Sequence, residues 1–157
     1  MKYLFQTTLQ NRKILYRILK NTPNEELLII PKGFRNNIYW NIAHVVVTQQ
    51  LLTYERSNLQ MHLPTSMIEK FRKGSVPDGQ GTQEEFDELS AYLFSTIELT
   101  QADFEANVFK TYDQFTTATN SEIKSVSDAL AFNLFHEGLH LGVILSLQKA
   151  IMKRADL

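Results

Sequence analysis

The sequence contains no cysteine. That absence removes two chemistries at once. No disulfide can staple the chain, and no thiolate can hold a metal, so any metal site must use His, Asp or Glu. A disulfide-free chain also fits a reducing compartment. Helix breakers are scarce, with six glycines and four prolines in 157 residues. Low-complexity disorder is therefore not expected over most of the length. A surplus of one charge is missing too. Sixteen Lys and Arg face seventeen Asp and Glu, a net charge of −1, which gives no electrostatic case for nucleic acid. No uninterrupted apolar run of about 18 residues occurs, so no membrane span is expected. The N-terminal MKYLFQTTLQNRKILYRILKN has apolar residues broken at helical spacing and no small-residue cleavage site. It does not read as a secretory signal. The expectation is a cytoplasmic protein with no nucleic-acid or membrane partner.

What is present suits one ordinary domain over residues 1–157, with 43% hydrophobic residues to fill a core. Four long segments have helical periodicity. The first runs from about Tyr3 to Lys20, with Leu4, Phe5, Leu15, Ile18 and Leu19 on one side and Lys13, Arg17 and Lys20 on the other. NTPNEELLIIPKGF then reads as a connection with a short extended piece. A second helix starts after Asn37, a good N-cap, and continues toward Leu59 despite the β-branched run Val45, Val46, Val47. Residues 60–81 form the longest link, with one short helix around Ser66 to Arg72. Thr82 and Glu85 make a capping box for a third helix reaching about Ala106. The following Thr-, Tyr- and Phe-rich stretch reads as an irregular crossover. Ser125 and Ser127 offer N-caps for a fourth helix ending near Lys153. The expected fold is all-α: a four-helix bundle with a long crossover connection between helices two and three.

The chemistry concentrates in FHEGLHLG, residues 135–142. His136 and His140 lie one turn apart on one helix face, a spacing that can hold a cation from one side. The same letters spell the His-Glu-x-x-His signature of metalloproteases, but the rest of that signature is missing. No Asp or Glu follows on the fourth helix before Asp156, and Val143 and Ser146 stand where the extended form wants Gly and His. A carboxylate-bridged di-iron centre would need a second Glu-x-x-His. The residues three before His44, His62 and His136 are Asn41, Leu59 and Asn133, so that copy is absent. His44 sits mid-helix in apolar IYWNIAHVVV. If the second and fourth helices face each other, His44 completes a three-histidine set with coordination positions to spare. His62 falls in the following loop and reads as solvated.

Trp40-x-x-x-His44 in the second helix, with His136-x-x-x-His140-x-Gly142 in the last, resembles the DinB-like superfamily. The Gln-Ile pair usual after that glycine is replaced by Val143 and Ile144. The resemblance covers helix count, long crossover and all three histidine positions. It implies a four-helix bundle with one divalent metal ion on His44, His136 and His140. Imidazole donors suit zinc or nickel and admit iron or manganese. Members with assigned activities are thiol-dependent transferases and isomerases, so the implied partners are a small-molecule thiol and an electrophilic substrate. Members often pair through their helices, which implies a homodimer. A metal-dependent hydrolase and a non-enzymatic metal-binding or structural bundle stay open beside the transferase. Glu137 lies about 60° around the helix from His140. It can be a proton acceptor, a partner of the ligands or a solvent-facing residue. Trp40, one turn before His44, is expected to pack beside the site, and Asn41, Thr48 and Asn133 are candidate polar contacts.

Overall fold

The computed structural model describes residues 1–155, so the last two residues of the expected 1–157 domain lie outside the described residues. Four long helices carry the architecture: α1 (Lys2–Asn21), α3 (Ile38–Thr53), α5 (Gln83–Glu105) and α6 (Val126–Ala155). Two short helices, α2 (Asn24–Leu27) and α4 (Thr65–Phe71), and a small hairpin, β1 (Phe115–Thr116) with β2 (Glu122–Ile123), fill the connections. α3 packs most extensively on α6, and α1 lies against α5 and α6. The class is all-α, with the long connection between the second and third long helices where the sequence placed it.

Each helix forms for a local reason. In α1 the buried residues Phe5, Thr8, Arg12, Leu15 and Leu19 recur at intervals of three and four, one continuous seam. In α3 the Asn37 side chain accepts from Trp40 N at 2.7 Å, capping the first turn. Every residue of α3 except Thr48 and Leu51 is buried. That explains how Val45, Val46 and Val47 remain helical: packing on all sides outweighs their weak propensity. The helix stops at Thr53, short of the expected Leu59, in a 3-10 turn (Glu55–Ser57) and a left-handed Asn58 at φ 57°. Thr82 and Glu85 form the anticipated capping box on α5. Of the two candidate serines, Ser125 precedes α6 and its hydroxyl accepts from Asp128 N at 3.2 Å, whereas Ser127 lies inside the helix.

Two connections and one helix depart from the sequence reading. The connection after α1, expected to hold only a short extended piece, also contains the one-turn α2. The Pro23 carbonyl accepts from Glu26 N and Leu27 N, and Leu27 anchors the turn in the core. The expected irregular crossover contains β1 and β2, paired antiparallel with Phe115 opposite Ile123. Ile123 is buried with Leu52 and Ala129, so the hairpin closes one end of the bundle. Finally, Val126–Met152 has a mean hydropathy of 1.3 over its best 18-residue window and is by length and composition apolar enough to cross a membrane. No uninterrupted apolar run was expected there, and Asn133, His136, Glu137 and His140 do interrupt this one. In the fold those four polar residues turn toward the bundle, and the face left outside is apolar.

Candidate metal centre

The α3–α6 packing brings the three expected histidines together. The ring nitrogens His44, His136 and His140 offer as ligand atoms all lie within 4.8 Å of one another. Ring centroids are 4.5 Å apart for His136 and His140, 4.8 Å for His44 and His140, and 5.3 Å for His44 and His136.

Two of the rings are oriented by fixed partners. His44 Nδ1 donates to the Phe71 carbonyl at 2.7 Å, a group delivered by the end of α4. His140 Nδ1 donates to Asn41 Oδ1 at 2.8 Å. The Asn41 amide cannot turn freely, because its Nδ2 donates to the Asn37 carbonyl at 2.7 Å. Holding the proton on Nδ1 leaves Nε2 of each ring with its lone pair, the tautomer a metal needs. Trp40 lies flat on His44, with centroids 4.5 Å apart and planes 11° from parallel. Its indole Nε1 donates to Ser75 Oγ at 3.0 Å, tying the stack to the loop after α4. Trp40 is therefore buried beside the site, as expected.

Electrostatics favour neutral imidazoles. Burial pushes His44 below its ordinary value against an opposing hydrogen bond to Phe71. Burial, then the neighbouring rings of His140 and His44 and the charge of Arg12, lowers His136 to about 3. Burial and His44 lower His140 to about 4. At neutral pH none of the three carries a proton that a cation must displace. His136 Nδ1 is buried with no partner among the described residues. An unpartnered ring nitrogen inside a group of three neutral imidazoles fits a divalent cation, and the absence of cysteine leaves nitrogen as its donor.

The polar neighbours sort differently from the sequence reading. Asn41 is buried and orients His140 instead of facing a pocket. Asn133 is buried and donates to Glu137 Oε1 at 2.8 Å. Thr48 alone of the three is partly exposed, with its hydroxyl 3.2 Å from His44 Nε2. The solvent-facing reading of Glu137 is overturned. Glu137 is fully buried and forms an ion pair with Arg12, Nη2 to Oε1 at 2.8 Å. A helical wheel drawn for α6 alone could not place it, because its partner comes from α1. Arg12 is the residue the sequence reading missed. Its signal was register: it occupies a position of the buried seam between Thr8 and Leu15. His62 stays apart from the cluster, partly exposed, with Nε2 3.5 Å from Asp103 Oδ2 and its ring edge against Tyr54. A cleft of about 170 Å³ lined by Tyr39, Met67, Lys70, Phe71 and Leu89 includes none of the three histidines. The one cation in that set, Lys70, is already paired with Glu85 at 2.8 Å and Asp78 at 3.6 Å.

The family model described as the DinB superfamily matches residues 7–144, a span that includes the whole of α3 and all three histidines. No curated protein matches the chain.

Proposed function

The chain belongs to the DinB superfamily, and from that premise we propose that it is a metal-dependent enzyme that transfers a small-molecule thiol to an electrophilic substrate. His44, His136 and His140 are the metal ligands in this reading. The observation that carries it is the convergence of three neutral imidazoles from two helices, two of them already oriented through Nδ1. A divalent cation held there supplies Lewis acidity, which keeps a thiol in its nucleophilic thiolate form near neutral pH. The chain has no cysteine of its own, so the sulfur comes from outside. Thr48, partly exposed beside His44, is positioned to hydrogen-bond an incoming polar group. Trp40 and the Phe71 carbonyl keep the His44 ring from rotating. Glu137 is spent on Arg12, which argues against its use as a proton acceptor.

The test is a titration of cobalt-loaded protein with bacillithiol, glutathione and cysteine. A sulfur-to-metal charge-transfer band with one of them, and thiol-dependent consumption of an electrophile, is the expected result. Ester or amide hydrolysis without any thiol would replace this reading with the hydrolase. No band and no turnover of either kind would leave a structural bundle.

The same reading includes a two-fold homodimer through the outer face of α6. Phe135 and Leu139 are 50% and 51% exposed and Val143 39%. Open space surrounds Gly138 and Gly142 on that helix. From Ala129 to Gln148 the only charged residue is the buried Glu137. An uncharged apolar helix face of this length is the kind of patch that soluble proteins cover. A second copy covers it without needing any charge complementarity. Sedimentation is expected to show a dimer at micromolar concentration and a monomer for Leu139→Glu. A wild-type chain that sediments only as a monomer removes the pairing.

A further inference from the structure

Behind the three imidazoles lies a buried ionic cluster that the proposed chemistry leaves unused. Arg12 on α1 and Glu137 on α6 have no exposed side-chain surface. Arg12 Nε and Nη2 donate to the same carboxylate oxygen, Glu137 Oε1, at 3.0 and 2.8 Å. Asn133 Nδ2 donates to that oxygen as well, at 2.8 Å. Arg12 Nη2 also reaches the Val45 carbonyl on α3, at 3.4 Å. Each anchor point is one residue from a histidine of the cluster. Glu137 follows His136, and Val45 follows His44.

A buried ion pair is a weak device for stability alone. Desolvating both charges offsets most of their attraction, and apolar residues of similar volume often serve a fold equally well. This pair is also incompletely satisfied. Arg12 Nη1, Asn133 Oδ1 and Glu137 Oε2 are buried without a partner among the described residues, a burden that a purely structural core sheds. What a guanidinium does and an apolar pair does not is fix direction. Its planar fork sets where its acceptors lie. Here those acceptors sit on the two helices that supply the three histidines.

Resting on the metal-centre reading above, we infer that Arg12 and Glu137 are positioning residues. They hold α3 and α6 at the separation that lets His44, His136 and His140 converge on one ion. Neither residue touches the ion or a substrate. Asn133, one turn before Glu137, keeps the carboxylate aimed at α1. The requirement is tight, because ligand distances tolerate only about 0.2 Å of error. A slip between the two helices therefore registers at the ligands before it registers in the fold.

Arg12→Ala would strand a buried carboxylate and is expected to unfold the chain. The test therefore uses Arg12→Met with Glu137→Met, which removes both charges and keeps the volume, and Arg12→Lys, which keeps the charge and loses the fork. For these and the wild type, three quantities are measured: the urea midpoint of the metal-free protein, the zinc Kd by chelator competition, and the cobalt d–d spectrum. The double variant, which also strands the Asn133 amide, is expected to stay folded with a slightly lowered midpoint, to bind zinc about tenfold or more weakly, and to show a displaced or weakened d–d band. Arg12→Lys is expected to weaken zinc binding about threefold or more. A folded double variant with wild-type zinc affinity and spectrum overturns the positioning role. If the double variant does not fold, wild-type affinity and spectrum in Arg12→Lys overturn it instead. A wild type that binds no zinc or cobalt removes the metal-centre reading and this inference with it. A wild type that binds while both variants match it removes this inference alone.

Discussion

Two polar clusters are buried along α3, and they differ in how completely they satisfy themselves. Toward its C-terminal end, Gln49 Nε2 donates to Thr53 Oγ1 at 3.2 Å and to Thr100 Oγ1 at 2.9 Å. Gln50 Nε2 donates to Gln49 Oε1 at 3.1 Å, and Gln50 Oε1 accepts from His62 N at 2.8 Å. Thr53, Thr96 and Thr100 each donate back to a carbonyl one turn earlier. This network is uncharged and closed, and it joins α3 to α5. The second cluster, around His44, is built from ionisable groups. Of five buried side-chain atoms without a partner among the described residues, four belong to it or adjoin it: Arg12 Nη1, Asn133 Oδ1, His136 Nδ1 and Glu137 Oε2. Both clusters bear the desolvation of polar groups, but only the first recovers it within the protein. A closed network is explained by the fold it holds together. An open one, beside three neutral imidazoles, fits the metal ion proposed above.

The largest effect that distinguishes the two clusters is metal retention. His44→Ala with His136→Ala is expected to drop bound metal from one ion per chain to below about 0.2, since one remaining imidazole cannot hold it against buffer. The helical circular dichroism should persist, and Gln49→Ala should leave metal content unchanged. Ordinary metal content in the double histidine variant would erase the distinction. Next in size is Trp40→Ala. Its ring is buried and stacked on His44, so a loss of about 3–5 kcal/mol in urea unfolding is expected. A loss under about 1 kcal/mol would contradict that packing.

Acid sharpens the contrast further. His136 and His140 are lowered to about 3 and about 4, and His44 is lowered as well, all by burial first. In the unfolded chain each takes a proton as pH falls through the ordinary histidine value of about 6.5, while the folded metal-free protein does not. The unfolded state then binds more protons, so stability is fully present above that pH and is lost as pH falls toward the folded values. The expected slope is about 1.4 kcal/mol per pH unit for each histidine that charges only on unfolding. A variant with all three histidines replaced by alanine should lose that slope between pH 6.5 and 5. Equal slopes for the two proteins would show that the imidazoles are not held neutral. The smallest effect belongs to the closed network. Thr100→Val strands one Gln49 amide proton and should cost about 1 kcal/mol with no change in metal affinity. A change in metal affinity there would join the two clusters into one.

How much of this could be read in the letters depended on whether the cause was local. Helix periods, the Asn37 and Thr82 caps and the four-residue spacing of His136 and His140 are local, and apart from the end of α3, which stops at Thr53 and not Leu59, they match the fold closely. The convergence of His44 with them required only that two helices face each other. The pairing of Arg12 with Glu137 was not legible, because Arg12 showed only a seam register and Glu137 only its place near the histidine face until α1 and α6 are packed together. The Phe71 carbonyl that orients His44 is a backbone group and has no residue signature at all. The β1–β2 hairpin was hidden for another reason. Two-residue strands are too short to show an alternation, and the turn residues around them dominate the pattern.

In the proposed reading His44, His136 and His140 together hold one divalent ion. A cobalt titration of metal-free protein, followed by d–d absorption, tests it most directly. A band is expected that saturates at one equivalent per chain and disappears in each single histidine-to-alanine variant while the helical signal stays. Saturation at one equivalent with an unchanged band in any of the three variants would contradict it, as would no band in the wild type.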